Sequence, residues 1–244
     1  DYTMSLFLFH SEEEERQLYR RVSRKQLLDG VVVTATRTGD ELIPRLLESQ
    51  VPLVVQGWHE DPRVNTVDVD NVSGATSAVC HLLRLGYQRI ATIAGPSDST
   101  AAQDRIRGYL DALQDRGRLV DDGLIVRGDF TQSSGYEAMQ RLLSHQPDAV
   151  FVASDTMAMG ALQAIRGAGL TVPGDIALVG FDDLPQATMV APSLTTVRQP
   201  IRRLGTLAVE TLIDILRNGL DTPRHLVLPT ELVIRDSCGA SKIQ

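Results

Sequence analysis

Two adjacent carboxylates stand just after an apolar, strand-like segment of the sequence. Residues 176–180 read IALVG, and after Phe181 come Asp182 and Asp183. A carboxylate at the end of a buried strand costs free energy unless a partner compensates its charge. Four roles fit this position: a catalytic acid, a metal ligand, a helix cap or a contact to a polar ligand.

The residues around these carboxylates leave several interpretations open. No helix-like segment follows Asp182 directly, because Pro185 lies close, so a simple turn is as good an interpretation as a functional one. An acid–base pair of Asp182 and Asp183 is disfavoured, because adjacent side chains on an extended chain point apart. Asp155 precedes the helix-like residues 157–166 and fits an N-cap or a first-turn acid better than a ligand contact.

Arg105 and Phe130 are further candidates for contacts to a ligand, and each also has a plain structural interpretation. Arg105 opens an amphipathic, helix-like segment, in which an arginine usually lies on the solvated face. Phe130 follows a strand-like segment, and both a core position and a surface for stacking suit it. The sequence alone does not decide between these roles.

Composition and missing motifs exclude several classes of protein. The 244 residues are 43% hydrophobic, which suits one large or two small domains, and the net charge of −7 does not suit a nucleic-acid binder in its own right. The sequence has no GxxxxGK[ST], GxSxG, HExxH or GxGxxG motif, and its five histidines and two cysteines match no metal spacing. We therefore predict neither a metal site nor a cofactor, and no enzymatic activity.

The sequence also predicts a cytoplasmic protein without membrane contact. No apolar run approaches the roughly 18 residues that a membrane span requires. The first residues, DYTMSLFLF, lack the basic region that begins a signal peptide. We expect Cys80 and Cys238 to be free thiols, as is usual in a reducing compartment.

Short apolar segments alternate with helix-like segments along the chain. We predict strands over residues 4–9, 30–35, 52–55, 89–94, 123–126, 149–153 and 176–180, and helices over residues 73–85, 101–116, 157–166 and 201–217. Such alternation predicts an α/β fold with parallel sheets that helices cover on both faces. The strands are too many for one small lobe, so we predict two lobes with a cleft between them. Residues 194–197 and 227–235 are interpreted as extended crossings between the lobes.

Five stretches of sequence form a pattern that spans nearly the whole chain. They are DNVSGATSAVCHLLRLGYQRIATIAGP (70–96), DRIRGYLDALQDRG (104–117), ASDTMAMGALQAIRGAGLTVPGDIALVGFDD (153–183), LTTVRQPIRRLG (194–205) and LPTELVIRDS (228–237). In this order they resemble the effector-binding core of the lactose-repressor/galactose-repressor (LacI/GalR) family of bacterial transcription regulators. The resemblance implies a periplasmic-binding-protein type I fold, with two lobes, each a parallel sheet flanked by helices, joined by three crossover strands.

The resemblance also implies a division of the chain. Residues 1–96 with 200–227 would form one lobe, and residues 97–199 with 228–244 the other, with crossings near Pro96, Gln199 and Leu228. Residues 4–9 match the second strand of the family core, so the first strand and helix, and the helix-turn-helix that binds DNA, are expected to be missing from this chain. We interpret it as a piece of a longer regulator.

The resemblance implies six residues that bind the effector. Arg105 matches the arginine whose guanidinium can bind two sugar hydroxyls, Asp182 the carboxylate that accepts hydroxyl hydrogens, and Phe130 the aromatic that stacks on the ligand. Gln199 matches an amide near the hinge. Two positions depart from the family: Ser154 stands where asparagine is frequent, and Trp58 follows Gly57 where a charged residue is frequent.

The expected function is therefore that of an effector-binding and dimerisation core. A small polar molecule, a sugar or a sugar derivative, would bind in the cleft between the lobes of a homodimer and control the binding of operator DNA by the missing domain. The alternative is a periplasmic sugar-binding protein of a transporter, which shares the fold. A sugar hydrolase that uses Asp182 and Asp183 is disfavoured, because no motif places a second carboxylate across the cleft.

Overall fold

The chain forms two compact units. A computed structural model describes residues 2–8, 13–14, 28–34, 37–39, 41–219 and 222–240. The first unit comprises residues 1–68 and 202–226, and the second comprises residues 69–201 and 227–244. The chain thus passes from one unit to the other three times.

The first unit contains a sheet with the strand order β1-β2-β3-β9 among the described residues. Its elements are β1 (Val31–Thr34), α1 (Leu42–Glu48), β2 (Leu53–Gln56), β3 (Asn65–Val69), α7 (Ile201–Asn218) and β9 (His225–Leu228). Strands β1, β2 and β3 are parallel. Apolar side chains of β1, α1 and β2, among them Val33, Ile43 and Val55, form the core of this unit.

Residues 4–8 do not form the predicted strand, and residue 9 lies outside the described residues. Met4, Leu6 and Leu8 are 75–87% exposed. An apolar run becomes a strand only when a neighbouring strand pairs with its backbone. None of the described strands pairs with residues 4–8, so the prediction is wrong there.

The second unit contains a larger sheet with the order β10-β8-β7-β6-β4-β5 in the described part of the chain. Its strands are β4 (Ile90–Ala94), β5 (Ile125–Arg127), β6 (Ala149–Val152), β7 (Ala177–Asp182), β8 (Thr195–Arg198) and β10 (Glu231–Val233). Its helices are α2 (Asn71–Arg84), α3 (Thr100–Gln114), α4 (Gln132–Leu143), α5 (Asp155–Gly167) and α6 (Gln186–Met189). All strand pairs are parallel except that of β10 with β8, which is antiparallel.

Strands β6 and β7 send alternate side chains to two separate cores. Val150 and Leu178 join the core that includes residues of α4 and α5. Phe151, Val179 and Phe181 join the core that includes residues of α2 and α3. This period of two explains why both strands read as continuous apolar runs in the sequence.

The boundary that the sequence places near Pro96 lies at residues 68 and 69 instead. Residues 69–96 belong to the second unit, because β4 pairs with β5 and β6 and because α2 packs on the second unit's sheet. The other two crossings, at residues 201–202 and 226–227, lie within three residues of the expected Gln199 and Leu228.

Candidate functional site

The carboxyl ends of the parallel strands in the second unit bring the candidate residues to one edge of the sheet. Strand β7 ends at Asp182, Ser154 lies two residues after β6, and Gln199 directly follows β8. Phe130 comes three residues after β5. Ligands of open parallel sheets bind at this edge, where the loops converge.

Arg105, on α3, is buried and makes contacts within the second unit. Its Nε donates to Asn71 Oδ1 at 2.9 Å, and its Nη1 donates to the backbone oxygen of Ala153 at 2.6 Å. The guanidinium lies 3.8 Å from the centre of the Phe181 ring, a cation–π geometry. Only 6% of the residue is exposed, so the interpretation of Arg105 as a solvated surface residue is wrong.

Asp182 accepts hydrogen bonds from two of the predicted site residues. Gln199 Nε2 donates to its Oδ1 at 2.6 Å, and Arg105 Nη1 donates to the same oxygen at 3.4 Å. Burial raises the pKa of Asp182, and the charge of Arg105 and the hydrogen bond from Gln199 oppose that increase. The structure thus brings Arg105, Asp182 and Gln199 into one hydrogen-bonded network.

Asp183 turns to other partners, so the two adjacent carboxylates do not form a pair. Arg235 Nη2 donates to Asp183 Oδ1 at 2.6 Å, and Arg198 Nε donates to its Oδ2 at 2.7 Å. Burial raises the pKa of Asp183, but these two hydrogen bonds together with the charges of the two arginines outweigh it, and the net pKa is lowered. The backbone has φ of 122° at Asp182 and 59° at Asp183, values that are uncommon for residues with a Cβ.

Phe130 packs at the end of β4, next to Gly95. A Cβ at position 95 would lie 2.5 Å from the Phe130 ring, so only glycine leaves space for the aromatic side chain. Phe130 is partly buried against the core on the α4 and α5 face, and its φ is 68°. The structure thus confirms the contact with the core, while stacking on a ligand stays a prediction.

Ser154 caps helix α5 and is nearly fully buried. Its hydroxyl oxygen accepts a hydrogen bond from the backbone N–H of Met157 at 3.2 Å. The N-cap of this helix is therefore Ser154, and Asp155 is its first helical residue. Of the two structural roles considered for Asp155, the N-cap is wrong and the first-turn acid is correct.

Trp58 lies in the first unit, two residues after β2, and is 53% exposed. Gly57, directly before it, has φ of 120°, which a residue with a side chain rarely adopts. A role of Trp58 in effector binding stays a prediction.

Metal binding and membrane insertion find no support in the described residues. They contain no group of three or more His, Cys, Asp or Glu side chains that could coordinate a metal ion. None of the helices in the described ranges combines the length and apolar character that a bilayer crossing requires.

Known proteins with similar sequences are transcriptional regulators. A family model described as a periplasmic binding protein-like domain matches residues 79–238. The HTH-type transcriptional regulator CelR of Thermobifida fusca is 40% identical over 217 residues, which are 87% of this chain and 64% of CelR. The ribose operon repressor of Escherichia coli K12 is 37% identical over 241 residues, which are 96% of this chain and 72% of the repressor.

Solved structures agree with these sequence matches. The complex of the transcriptional regulator CelR with cellobiose superposes with a TM-score of 0.90 at 38% identity, covering 93% of this chain and 71% of that chain. A regulatory protein of the LacI family from Chloroflexus aggregans superposes with a TM-score of 0.86 at 35% identity, covering 95% of this chain and 84% of that one. The chain belongs to the LacI/GalR family. The chain spans just under two thirds of the length of CelR.

These relatives are transcriptional regulators and not enzymes, and membership of the LacI/GalR family confirms the fold expected from the resemblance. Sequence reasoning missed two residues at the strand ends. Asn71 contacts Arg105, and Thr196 contacts Asp155. The sequence offered one signal for such residues, a polar residue directly next to an apolar segment. Many residues without a functional role share this feature, so it does not identify them.

Proposed function

We propose that the chain is the effector-binding and dimerisation core of a bacterial transcriptional regulator and that its effector is a small polar molecule, a sugar or a sugar derivative. The observation that supports it best is the buried network of Arg105, Asp182 and Gln199 at the carboxyl edge of the second unit's sheet. A buried ion pair is weak evidence for stability alone, and such pairs are often retained for another role.

The network has the chemistry to bind hydroxyl groups. Both side-chain hydrogen bonds to Asp182 reach Oδ1, so Oδ2 is the atom that would accept from ligand hydroxyls. Arg105 and Gln199 fix the orientation of the carboxylate before a ligand arrives, which reduces the entropy lost on binding. The ring of Phe130, at the same edge, suits the apolar face of a sugar ring.

The relatives support the choice of ligand class. CelR has been solved with cellobiose, and the second relative is named for the ribose operon. We therefore propose a mono- or disaccharide. The relatives described above are regulators, so the alternative of a transport protein has no comparable support.

The proposed regulation is allosteric. A homodimer of this core would transmit effector binding to helix-turn-helix domains that bind operator DNA. The effector must bind two arrangements of the core with different affinity, because a ligand that binds both equally shifts nothing.

Isothermal titration calorimetry with cellobiose and with ribose tests the proposal. We expect one of the two sugars to bind the wild type and Asp182→Asn to weaken that binding by about ten- to a hundredfold, since a hydrogen bond to a charged group contributes about 1.5–3 kcal/mol. Asp175→Asn is the matched control, because Asp175 accepts from Thr171 at the opposite end of β7. Unchanged affinity in Asp182→Asn would contradict the site, and absence of binding of both sugars would contradict the ligand class.

A further inference from the structure

Asp155 is a fully buried carboxylate that touches the proposed site without being one of its predicted ligand contacts. It is 0% exposed. Thr196 Oγ1 donates to its Oδ1 at 2.6 Å, and the backbone N–H of Leu184 donates to its Oδ2 at 2.8 Å. One side chain thus joins the first turn of α5, strand β8 and the loop that follows β7.

The carboxylate of Asp155 fits against the sheet only because a neighbouring strand residue, Gly180, has no side chain. A Cβ at Gly180 would collide with Asp155 Oδ1, so the sheet is open to the carboxylate only because residue 180 is glycine. The backbone N–H of Asp155 also lies close enough to the carboxylate of Asp182 to lower its pKa. Asp155 therefore lies next to both Asp182 and Leu184, the residues on either side of Asp183.

The loop after β7, to which Asp155 is hydrogen-bonded, has a strained backbone. Asp182 and Asp183 both have positive φ, and such conformations persist only where the surroundings enforce them. The hydrogen bond from Leu184 N–H fixes the chain directly after the strained pair. The orientation of Asp182 toward Arg105 and Gln199 depends on the same backbone.

The charges around Asp155 are mostly of its own sign. Asp182 and Asp183 lie near it, while Arg105 pairs with Asp182, and Arg198 and Arg235 pair with Asp183. Burial and, to a smaller extent, the two neighbouring carboxylates raise the pKa of Asp155, the hydrogen bonds from Thr196 and Leu184 lower it, and the net pKa is about 7. Asp155 thus titrates in the physiological range of pH.

We propose that Asp155 is a positioning residue of the effector site: its carboxylate fixes the loop that contains Asp182, and its protonation lowers effector affinity. This inference rests on the proposed function, because it concerns the same site. The ionised carboxylate accepts strong hydrogen bonds at both oxygens. The protonated form accepts a weaker bond from Leu184 and must donate to Thr196, so it holds the loop less firmly.

The expected size of the effect follows from the titration. With half-protonation near pH 7, the ionised fraction rises from about one tenth at pH 6 to about nine tenths at pH 8. Apparent affinity scales with the fraction of the competent form. With the protonated form binding about tenfold more weakly than the ionised form, we therefore expect the affinity of the wild type for its sugar to rise about fivefold between pH 6 and pH 8.

Asp155→Asn tests the assignment, because asparagine keeps the shape, accepts from Leu184 N–H with its one oxygen and donates to Thr196 Oγ1 with its amide nitrogen, as the protonated acid does, but stays uncharged. Calorimetry with cellobiose and with ribose should show affinity about tenfold below the wild type at pH 8 and little change down to pH 6. Thr196→Val removes the hydroxyl bond that lowers the pKa, so it should move the midpoint of the wild-type pH profile upward. Asp175→Asn, the control described above, should keep the wild-type profile.

Unfolding in urea at several pH values separates the positioning role from a purely structural one, in which the ionised carboxylate would stabilise the fold and its loss would lower stability at pH 8. The raised pKa means that the folded state binds more protons than the unfolded state between about pH 4 and pH 7, so wild-type stability falls as the pH rises through this interval. Asp155→Asn should lose this dependence and be at least as stable as the wild type at pH 8. Lower stability of this variant at pH 8 would overturn the proposal.

A readout without any ligand separates this inference from the proposed function. Amide hydrogen exchange at Leu184, followed by NMR in the wild type, should slow relative to the amide of Thr171 as the pH rises from 6 to 8. Constant relative protection at Leu184 overturns the positioning role even if sugars bind. If protection changes as expected and neither sugar binds, the positioning of the loop stands and the proposed ligand class fails. A wild-type pH profile that survives in Asp155→Asn would assign the titration to Asp182 and overturn the role of Asp155.

Discussion

Replacing Arg105 with alanine should destabilise the second unit by about 4 kcal/mol. The change leaves Asp182, whose side chain is only 17% exposed, without its cationic partner, and breaking a buried pair in this way typically costs about 3–5 kcal/mol. Asn71 Oδ1 and the backbone oxygen of Ala153 lose a donor at the same time.

Differential scanning calorimetry and urea unfolding measure this loss. For a chain of this length, about 4 kcal/mol corresponds to a decrease of about 8–16 °C in melting temperature. The matched control is Arg107→Ala, two residues along the same helix, where the arginine is 72% exposed and its ion pair with Asp111 spans 3.7 Å. We expect that control to lose less than about 0.5 kcal/mol.

The pH dependence of Arg105→Ala provides an independent check. Burial already raises the pKa of Asp182 against the opposing charge of Arg105, so removing the arginine should raise it further. A raised carboxyl pKa favours the folded state at low pH, so part of the lost stability should return as the pH falls from 7 to 5. A loss below about 1 kcal/mol at pH 7, or a loss that grows on acidification, would refute a buried network built around Arg105.

Three further substitutions have expected outcomes. Gly95→Ala should displace the ring of Phe130 and weaken sugar binding about tenfold in calorimetry; unchanged affinity would mean that the ring takes no part. Trp58→Ala tests the predicted role of Trp58 in effector binding: it should lower sugar affinity without changing the melting temperature, since the side chain is half exposed, and equal affinity would contradict that role. Asp183→Asn should lower the free energy of unfolding in urea at pH 7 by about 2 kcal/mol, because it loses the charge-assisted hydrogen bonds from Arg235 and Arg198. Because the pKa of Asp183 is lowered, the wild type loses that contribution as the pH falls below about 4, and the difference between the two proteins should vanish there.

The sequence predicts the strands well where both faces of a strand are buried. Strands β4, β6 and β7 were expected to within two residues at each end, because their apolar runs reflect two cores. Strand β3, residues 65–69, was missed, because its sequence NTVDV alternates polar and apolar residues and has no continuous run. Residues 4–8 show the opposite error, since an apolar run gives no information about whether a pairing partner exists.

The candidate site was predictable only in part. Composition and spacing allowed Arg105 to be a solvated helix residue and Asp182 to be a turn residue. Only the family resemblance favoured effector binding for both. The partners that fix them are remote in sequence: Asn71 is 34 residues from Arg105, and Thr196 is 41 residues from Asp155. Such contacts depend on the order of strands in the sheet, which local patterns do not specify.

The alternation of side chains along β7 constrains how this protein can change during evolution. Leu178 and Phe181 belong to different cores, and Phe181 stacks beneath the guanidinium of Arg105. Deleting a single residue between positions 177 and 181 would exchange the two faces of the strand on one side of the deletion, so either Leu178 would leave its core or Phe181 would leave its place beneath the arginine. Surface loops at the opposite end of the sheet can lengthen freely, whereas this strand tolerates substitution but not a change of length.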